Sequence, residues 1–229
     1  MTIAENVARV REEIELAAQR CGRNSKEITL VAASKMNDSA RIREAINAGI
    51  TVCGENRVQE MTEKNSQGAY KGAHLHFIGR LQRNKVRQVT GVAELIHGVD
   101  SLALLQEIGK RAVEKGIVQD VLLEVNIGQE ETKAGFAPED IPAVLENGET
   151  ISGIRIRGLM AIPPIVTSEA EIFPYFSAMQ KLFIDNGQKK YDNSNMDFLS
   201  MGMSNDFPQA IACGSNMIRI GTKIFGPRS

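Results

Sequence analysis

The sequence carries no surplus of positive charge: 27 lysines and arginines stand against 28 aspartates and glutamates in 229 residues. A chain so balanced has no basic field to gather a nucleic acid or an anionic membrane surface, so neither partner is expected. Cysteine is scarce too. Cys21, Cys53 and Cys213 are odd in number and far apart, with no CxxC pair or interleaved histidines. That excludes a disulfide framework and a structural zinc site, and points to a reducing, cytoplasmic compartment. No apolar run reaches the length of a signal segment or a membrane-spanning helix, and Glu5, Glu12 and Glu13 bring acid early, so a soluble, unprocessed chain is expected. Linkers are missing as well; Pro163 and Pro164 punctuate one loop only. With 42% apolar content, a single domain over residues 1–229 follows.

What is present is an alternation. Ile3, Val7, Val10, Ile14 and Ala17 or Ala18 recur at three- and four-residue steps and predict an opening helix, buried on one face and ending near Gly22. Short β-rich runs follow at 27–33, 50–53, 75–78, 95–99, 121–127, 154–160, 198–201 and 217–220. Between them, helical patterns are read at 39–48, 82–89, 102–115, 138–145, 169–184 and 207–212. Strands separated by helices pair in parallel through right-handed crossovers. Eight such units predict an α/β protein, a single (β/α)8 TIM barrel, because closure removes every strand edge while helices cover the outside. A doubly wound open sheet is the competing fold. The first helix stands before the repeat as an addition.

In such a barrel the carboxyl ends of the strands converge on one mouth. Lys35 comes directly after the first apolar run and Ser34. A mouth lined by apolar strand ends would desolvate its ammonium and favour the neutral amine, the form that attacks an aldehyde; otherwise the side chain snorkels to water. Leu199-Ser200-Met201-Gly202-Met203-Ser204 runs from a strand into a helix start near Asn205 or Asp206. Its hydroxyls and the unpaired helix amides either cradle a phosphate or simply cap the helix. Arg219-Ile220-Gly221-Thr222 ends the last strand, where Gly221 permits close backbone approach and Thr222 offers an amide and a hydroxyl. The loops after strands seven and eight are the usual phosphate site of these barrels.

Asn56, after Gly54-Glu55, is either a ring contact or a turn residue. Met160 ends the sixth strand. His76 reads as a satisfied core histidine standing behind the site, and Arg80, Arg83, Lys85 and Arg87 as a solvated helix face. Closure makes the first and last strands neighbours, so Lys35 and Arg219 would approach one ligand from adjacent staves. An aldehyde and a phosphate on one ring suit that layout, and pyridoxal phosphate has both. Arg219 would meet the ring nitrogen; a guanidinium keeps its proton, which leaves the ring a weak electron sink.

Several segments then recur in order: Leu30-Val31-Ala32-Ala33-Ser34-Lys35, Gly54-Glu55-Asn56 with Val58-Gln59-Glu60, His76-Phe77-Ile78-Gly79, Gly158-Leu159-Met160-Ala161-Ile162, the 199–204 run, and Ile218-Arg219-Ile220-Gly221. Together they resemble the pyridoxal phosphate homeostasis proteins, the YggS/PROSC family, from the first helix to Gly226. The resemblance implies the fold of the amino-terminal domain of alanine racemase. It implies Lys35 as the Schiff-base lysine, Arg219 at the ring nitrogen, and Ser200, Gly221 and Thr222 around the phosphate. Asn56, Met160 and Ser204 complete the expected cofactor-binding set, with no metal. Lys133 is similar to a family lysine linked to cofactor transfer.

Departures are Arg57, where an aromatic or small polar residue is common, and the end at Arg228-Ser229, without the basic tail some relatives carry. A second β domain, with the tyrosine base of a true alanine racemase, has no counterpart. The function expected is that of a cytoplasmic, monomeric carrier of pyridoxal phosphate in its homeostasis, without turnover, with pyridoxal-phosphate-dependent apo-enzymes as further partners. A narrow amino-acid racemase or lyase using the same cofactor is the alternative, and a Schiff-base aldolase on Lys35 a third reading.

Overall fold

A computed structural model of the chain describes residues 1–166 and 168–227; Thr167, Arg228 and Ser229, and with them the expectation about a basic tail, lie outside the described residues. The first helix, α1 (Ile3–Arg20), starts where the Thr2 hydroxyl accepts the Glu5 amide and the Glu5 carboxylate accepts the Thr2 amide. This reciprocal cap satisfies two donors the helix leaves without partners. Ile3, Val7, Val10, Ile14, Ala17 and Ala18 form its buried stripe, each large aliphatic contributing about 1.5–3 kcal/mol over exposure.

Eight parallel strands follow, β1 (Thr29–Ala33), β2 (Val52–Glu55), β3 (His74–Phe77), β4 (Leu95–Val99), β5 (Gln119–Val125), β6 (Ile154–Ala161), β7 (Ser194–Ser200) and β8 (Met217–Ile220). They pair in chain order, and β8 returns to β1 with Val31 opposite Arg219, so the sheet closes. That closure excludes the open doubly wound sheet. Around it lie α2 (Ser39–Asn47), α3 (Val58–Ser66), α4 (Val86–Val89), α5 (Leu102–Glu114), α6 (Ile141–Gly148), α7 (Glu169–Gly187), α8 (Phe207–Ala212) and α9 (Thr222–Phe225). Among the described residues no helix is long and apolar enough to cross a membrane.

Alternation along the strands sorts the apolar residues into two cores. Val31, Val52, Leu95, Leu122, Met160 and Met217 pack together inside the barrel, while a larger cluster joins the outer strand faces to the helices. With α9 only four residues long, the last crossover offers little cover. Helix α1 supplies it, packing against α2, α8 and α9 and tied there by the Asn6 amide, which donates to the Ile224 carbonyl at 3.0 Å.

Several elements differ from the sequence pattern: β2 runs to Glu55 rather than 53, α4 starts at Val86 rather than 82 and α6 at Ile141 rather than 138, and three further differences have a visible reason. β7 starts at Ser194 rather than near 198, because its first half alternates Asn195 and Asp197 to solvent and shows no apolar run. β5 stops at Val125 rather than 127, where Phe136 exchanges bonds with Glu124 and Asn126. Helix α3 was absent from the pattern. Its buried stripe is Val58, Met61 and Lys64, and a lysine at the third inward position hides the helical period.

Candidate functional site

The carboxyl ends of the strands open into a cavity of about 730 Å³. Lys35, Asn56, Met160, Ser204, Arg219, Gly221 and Thr222 all line it. Lys35 follows β1 on a tight turn in which Met36 adopts a left-handed φ of 62°, a conformation uncommon for a residue other than glycine. The Asn37 side chain holds the Lys35 carbonyl at 3.0 Å. Because β1 and β8 are adjacent, the Lys35 turn, the Gly221–Thr222 turn and Arg219 share one side of the mouth.

Asn56 enters from the loop after β2, its side-chain oxygen buried without a hydrogen-bond partner. That loop lies so close to β3 that a Cβ on Gly79 would sit 2.2 Å from the Asn56 carbonyl oxygen; only glycine lets the two loops approach. The opposite wall comes from the loop after β7. There the Asp206 carboxylate accepts the Met203 amide at 2.5 Å and fixes the turn through Ser204 and Asn205 that leads into α8. At the start of α8 the Phe207 amide donates to the Met203 carbonyl and Pro208 has no N–H, so of that helix start Gln209 borders the cavity, as Thr222 does at the start of α9.

Arg219 points inward from β8 and is 5% exposed. It donates to the Ser200 carbonyl (2.9 Å), the Ser200 hydroxyl (2.6 Å) and the Ala161 carbonyl (3.0 Å). Burial lowers its guanidinium to about 10, against the opposing pull of Glu124 and Asp206, so it is charged at neutral pH.

The Ser200 hydroxyl continues to His97 Nδ1 at 3.1 Å, and His97 Nε2 to His76 Nδ1 at 3.0 Å. Direction follows from the donors. Arg219 can only donate, so Ser200 gives its proton to His97 Nδ1, and His97 gives its Nε2 proton to His76 Nδ1. Both imidazoles are therefore neutral Nε2–H tautomers. Burial agrees, lowering His76 to about 4, with the His74 charge adding to it, and holding His97 well below the ordinary range with help from His76 and Arg219.

Ser200 is thus not where a phosphate contact was expected. It is fully buried beneath the wall, outside the cavity lining, with its hydroxyl engaged by Arg219 and His97. His76 and His97 stand behind it. Lys133 is also apart: it pairs with the Glu130 carboxylate and lines a smaller neighbouring pocket of about 300 Å³. Of the basic stretch, Arg83 and Arg87 are exposed, while Arg80 reaches the mouth and approaches Asp100 at 3.5 Å.

Two acids were missed. Glu124 and Asp206 both line the cavity. Burial raises the Glu124 carboxyl, with Asp100 adding, and Arg219 and Arg80 opposing. Burial also raises Asp206, although the Met203 amide pulls the other way. A carboxylate inside the apolar run Val121-Leu122-Leu123-Glu124-Val125 was the legible signal for the first; nothing comparable marks the second.

The arrangement can hold a molecule with a carbonyl carbon for the Lys35 amine, an anionic end between the last two loops, and a planar body over Arg219. Comparisons with known proteins bear on which molecule. The alanine racemase N-terminal domain family matches residues 6–229. The chain is 43% identical to the pyridoxal phosphate homeostasis protein of Aquifex aeolicus (strain VF5), covering 100% of this chain and 99% of that protein. It is 38% identical to the protein of the same name from Escherichia coli (strain K12), over 99% and 97% of the two. A solved structure of PipY from Synechococcus elongatus PCC7942, described as having PLP bound, superposes with a TM-score of 0.85 at 34% identity, over 98% of this chain and 100% of that one.

Proposed function

The chain belongs to the pyridoxal phosphate homeostasis proteins, built on the alanine racemase N-terminal barrel, and from that premise we propose that it holds pyridoxal phosphate as a Schiff base on Lys35 and acts as a carrier of the cofactor. The observation that carries this reading is the convergence of Lys35, Arg219 and the two phosphate-type turns on one cavity. When bound, the cofactor supplies an aldehyde and an electron-accepting ring.

The residues fit each part of it. Lys35 would hold the aldehyde through its side-chain nitrogen, an exchange of C=O for C=N that releases water and needs no oxidant or reductant. The Ser204 and Thr222 hydroxyls and the close backbone approach at Gly221 suit the phosphate. Arg219, held in place by Ser200 and Ala161, suits the ring nitrogen as a donor. The orphan oxygen of Asn56 and the buried Met160 line the remaining walls. Ser200 takes a different part from the one the sequence suggested: it orients Arg219.

A donor that stays protonated keeps the ring nitrogen unprotonated and the ring a weak electron sink, which favours carriage over turnover. Exposed Ile162, Ile165 and Met203 line the mouth, a surface on which apo-enzymes using the same cofactor could receive it from a monomer. The three free thiols suit a reducing cytoplasm.

One observation favours the second reading, a narrow amino-acid racemase or lyase: Glu124 and Asp206 are carboxyls with raised proton affinity inside the same cavity. Titration of the full chain with pyridoxal phosphate separates the readings. Carriage predicts a visible imine band in the wild type, none in Lys35→Ala, and no conversion of any proteinogenic amino acid. A band that survives Lys35→Ala would refute the Lys35 link, and steady turnover that dies with Lys35 would promote the enzyme.

A further inference from the structure

Behind the Lys35 turn, on the outer face of β2, lies a buried charged cluster that the cavity does not use. Glu55 is fully buried and Lys64 nearly so. Glu55 Oε1 accepts from the Ser34 hydroxyl (2.7 Å), Lys64 Nζ (2.8 Å) and the Tyr70 hydroxyl (3.0 Å). Lys64 Nζ also donates to the Ser34 carbonyl (3.2 Å) and to Glu60 Oε2 (3.0 Å), which uses all three of its protons. Glu60 Oε2 in turn accepts the Met36 amide at 2.8 Å. The Met36 amide and Lys64 outweigh the burial that would raise the Glu60 carboxyl, and hold it below its ordinary range.

The network therefore grips the chain on both sides of one residue. Ser34 is held by its hydroxyl and its carbonyl, and Met36 by its amide, while Met36 is kept at a left-handed φ of 62°. The residue between them is Lys35. A buried ion pair is a poor way to gain stability, since apolar residues of similar volume do as well or better, and here Glu55 Oε2 is left buried without a partner. Packing of α3 on β2 does not call for it.

We propose that Glu55, Lys64 and Glu60 form a positioning clamp on the two peptide groups flanking Lys35, and so fix the direction in which its amine enters the cavity. The clamp rests on the reading of Lys35 as the imine-forming lysine. Helix α3 is then the element that orients the β1 turn, and the lysine that conceals its helical period is part of the device.

Glu60 sits at the edge of the cluster with its side chain 22% exposed, so Glu60→Ala should fold. The full chain freed of cofactor is mixed with pyridoxal phosphate, and the imine band is followed in time beside the thermal midpoint. Glu60→Ala is expected to load about 10- to 100-fold more slowly, the scale set by a displacement of about 1 Å at a positioned group, with little change in midpoint. Glu60→Gln, which keeps an acceptor for the Met36 amide, is expected to recover most of the rate.

A second variant, Glu55→Gln with Lys64→Met, removes the buried charges together and is expected to slow loading similarly. Wild-type loading in either the Glu60→Ala or the double variant overturns the clamp, as does equal slowing in Ala and Gln tracked by a lowered midpoint. Borohydride reduction of the wild type, read by mass spectrometry, separates the two failures: a Lys35 adduct with unaffected variants sinks the clamp alone, and absence of that adduct sinks both.

Discussion

Acid should loosen this barrel through the imidazoles buried beneath its mouth. His76 titrates at about 4 in the folded chain against an ordinary 6.5, so below 6.5 the unfolded chain binds a proton that the folded chain refuses. The contribution is complete above pH 6.5 and is lost as pH falls through 4. At about 1.4 kcal/mol per pH unit the whole window amounts to about 3 kcal/mol, of which about 2 kcal/mol is lost between about pH 7.5 and about pH 5. His97, held low in the same direction, adds to the slope. Protonating His97 would also place a hydrogen on the nitrogen that accepts from Ser200, and turn the serine away from its present bond. The assay is urea denaturation of wild type, His76→Asn and His97→Gln at the two pH values. His76→Asn should lose about 2 kcal/mol less than wild type on acidification, and His97→Gln should also lose less than wild type, with the carboxylates common to all three cancelling in the comparison. An identical pH dependence in wild type and His76→Asn would refute the buried, neutral wire.

Three further outcomes follow from the cavity. Arg219→Met relieves the cost of burying a charge while removing the ring-nitrogen donor, so the chain should fold yet bind pyridoxal phosphate about 10- to 100-fold more weakly, about 1.5–3 kcal/mol for a charged donor; unchanged affinity in an absorbance titration would argue against its placement. Ser204→Ala with Thr222→Val should weaken pyridoxal phosphate by at least about tenfold but leave pyridoxal, which lacks the phosphate, nearly unaffected; equal losses for both ligands would remove the phosphate role. Gly79→Ala should cost about 1–3 kcal/mol, because its Cβ would lie 2.2 Å from the Asn56 carbonyl oxygen, and should lower the thermal midpoint by about 2–4 °C per kcal/mol.

Periodicity and apolar runs exposed the barrel because the code for it is local. Each strand is a short apolar run, each long helix an apolar stripe, and closure then follows from the count. The adjacency of Lys35 and Arg219 was legible by the same route, since a closed sheet must set β1 beside β8, and Val31 is indeed opposite Arg219. What stayed hidden depends on partners distant in sequence. Lys64 looks like a surface residue until Glu55 and Ser34 are brought to it. Ser200 looks like a phosphate ligand until Arg219, 19 residues on, and His97, 103 residues back, are found on its hydroxyl. The strand half at 194–197 is polar because it faces water, and Asp206 carries no local mark of its burial. Charged groups inside a fold are chosen by their three-dimensional company, which no window of sequence contains.

The covalent link to Lys35 carries the whole functional account. Full-length chain loaded with pyridoxal phosphate is reduced with borohydride, digested and mapped by mass spectrometry. The account predicts a pyridoxyl mass on the peptide containing Lys35 and its loss in Lys35→Ala; a label confined to Lys133 or another lysine, or no label at all, would contradict it.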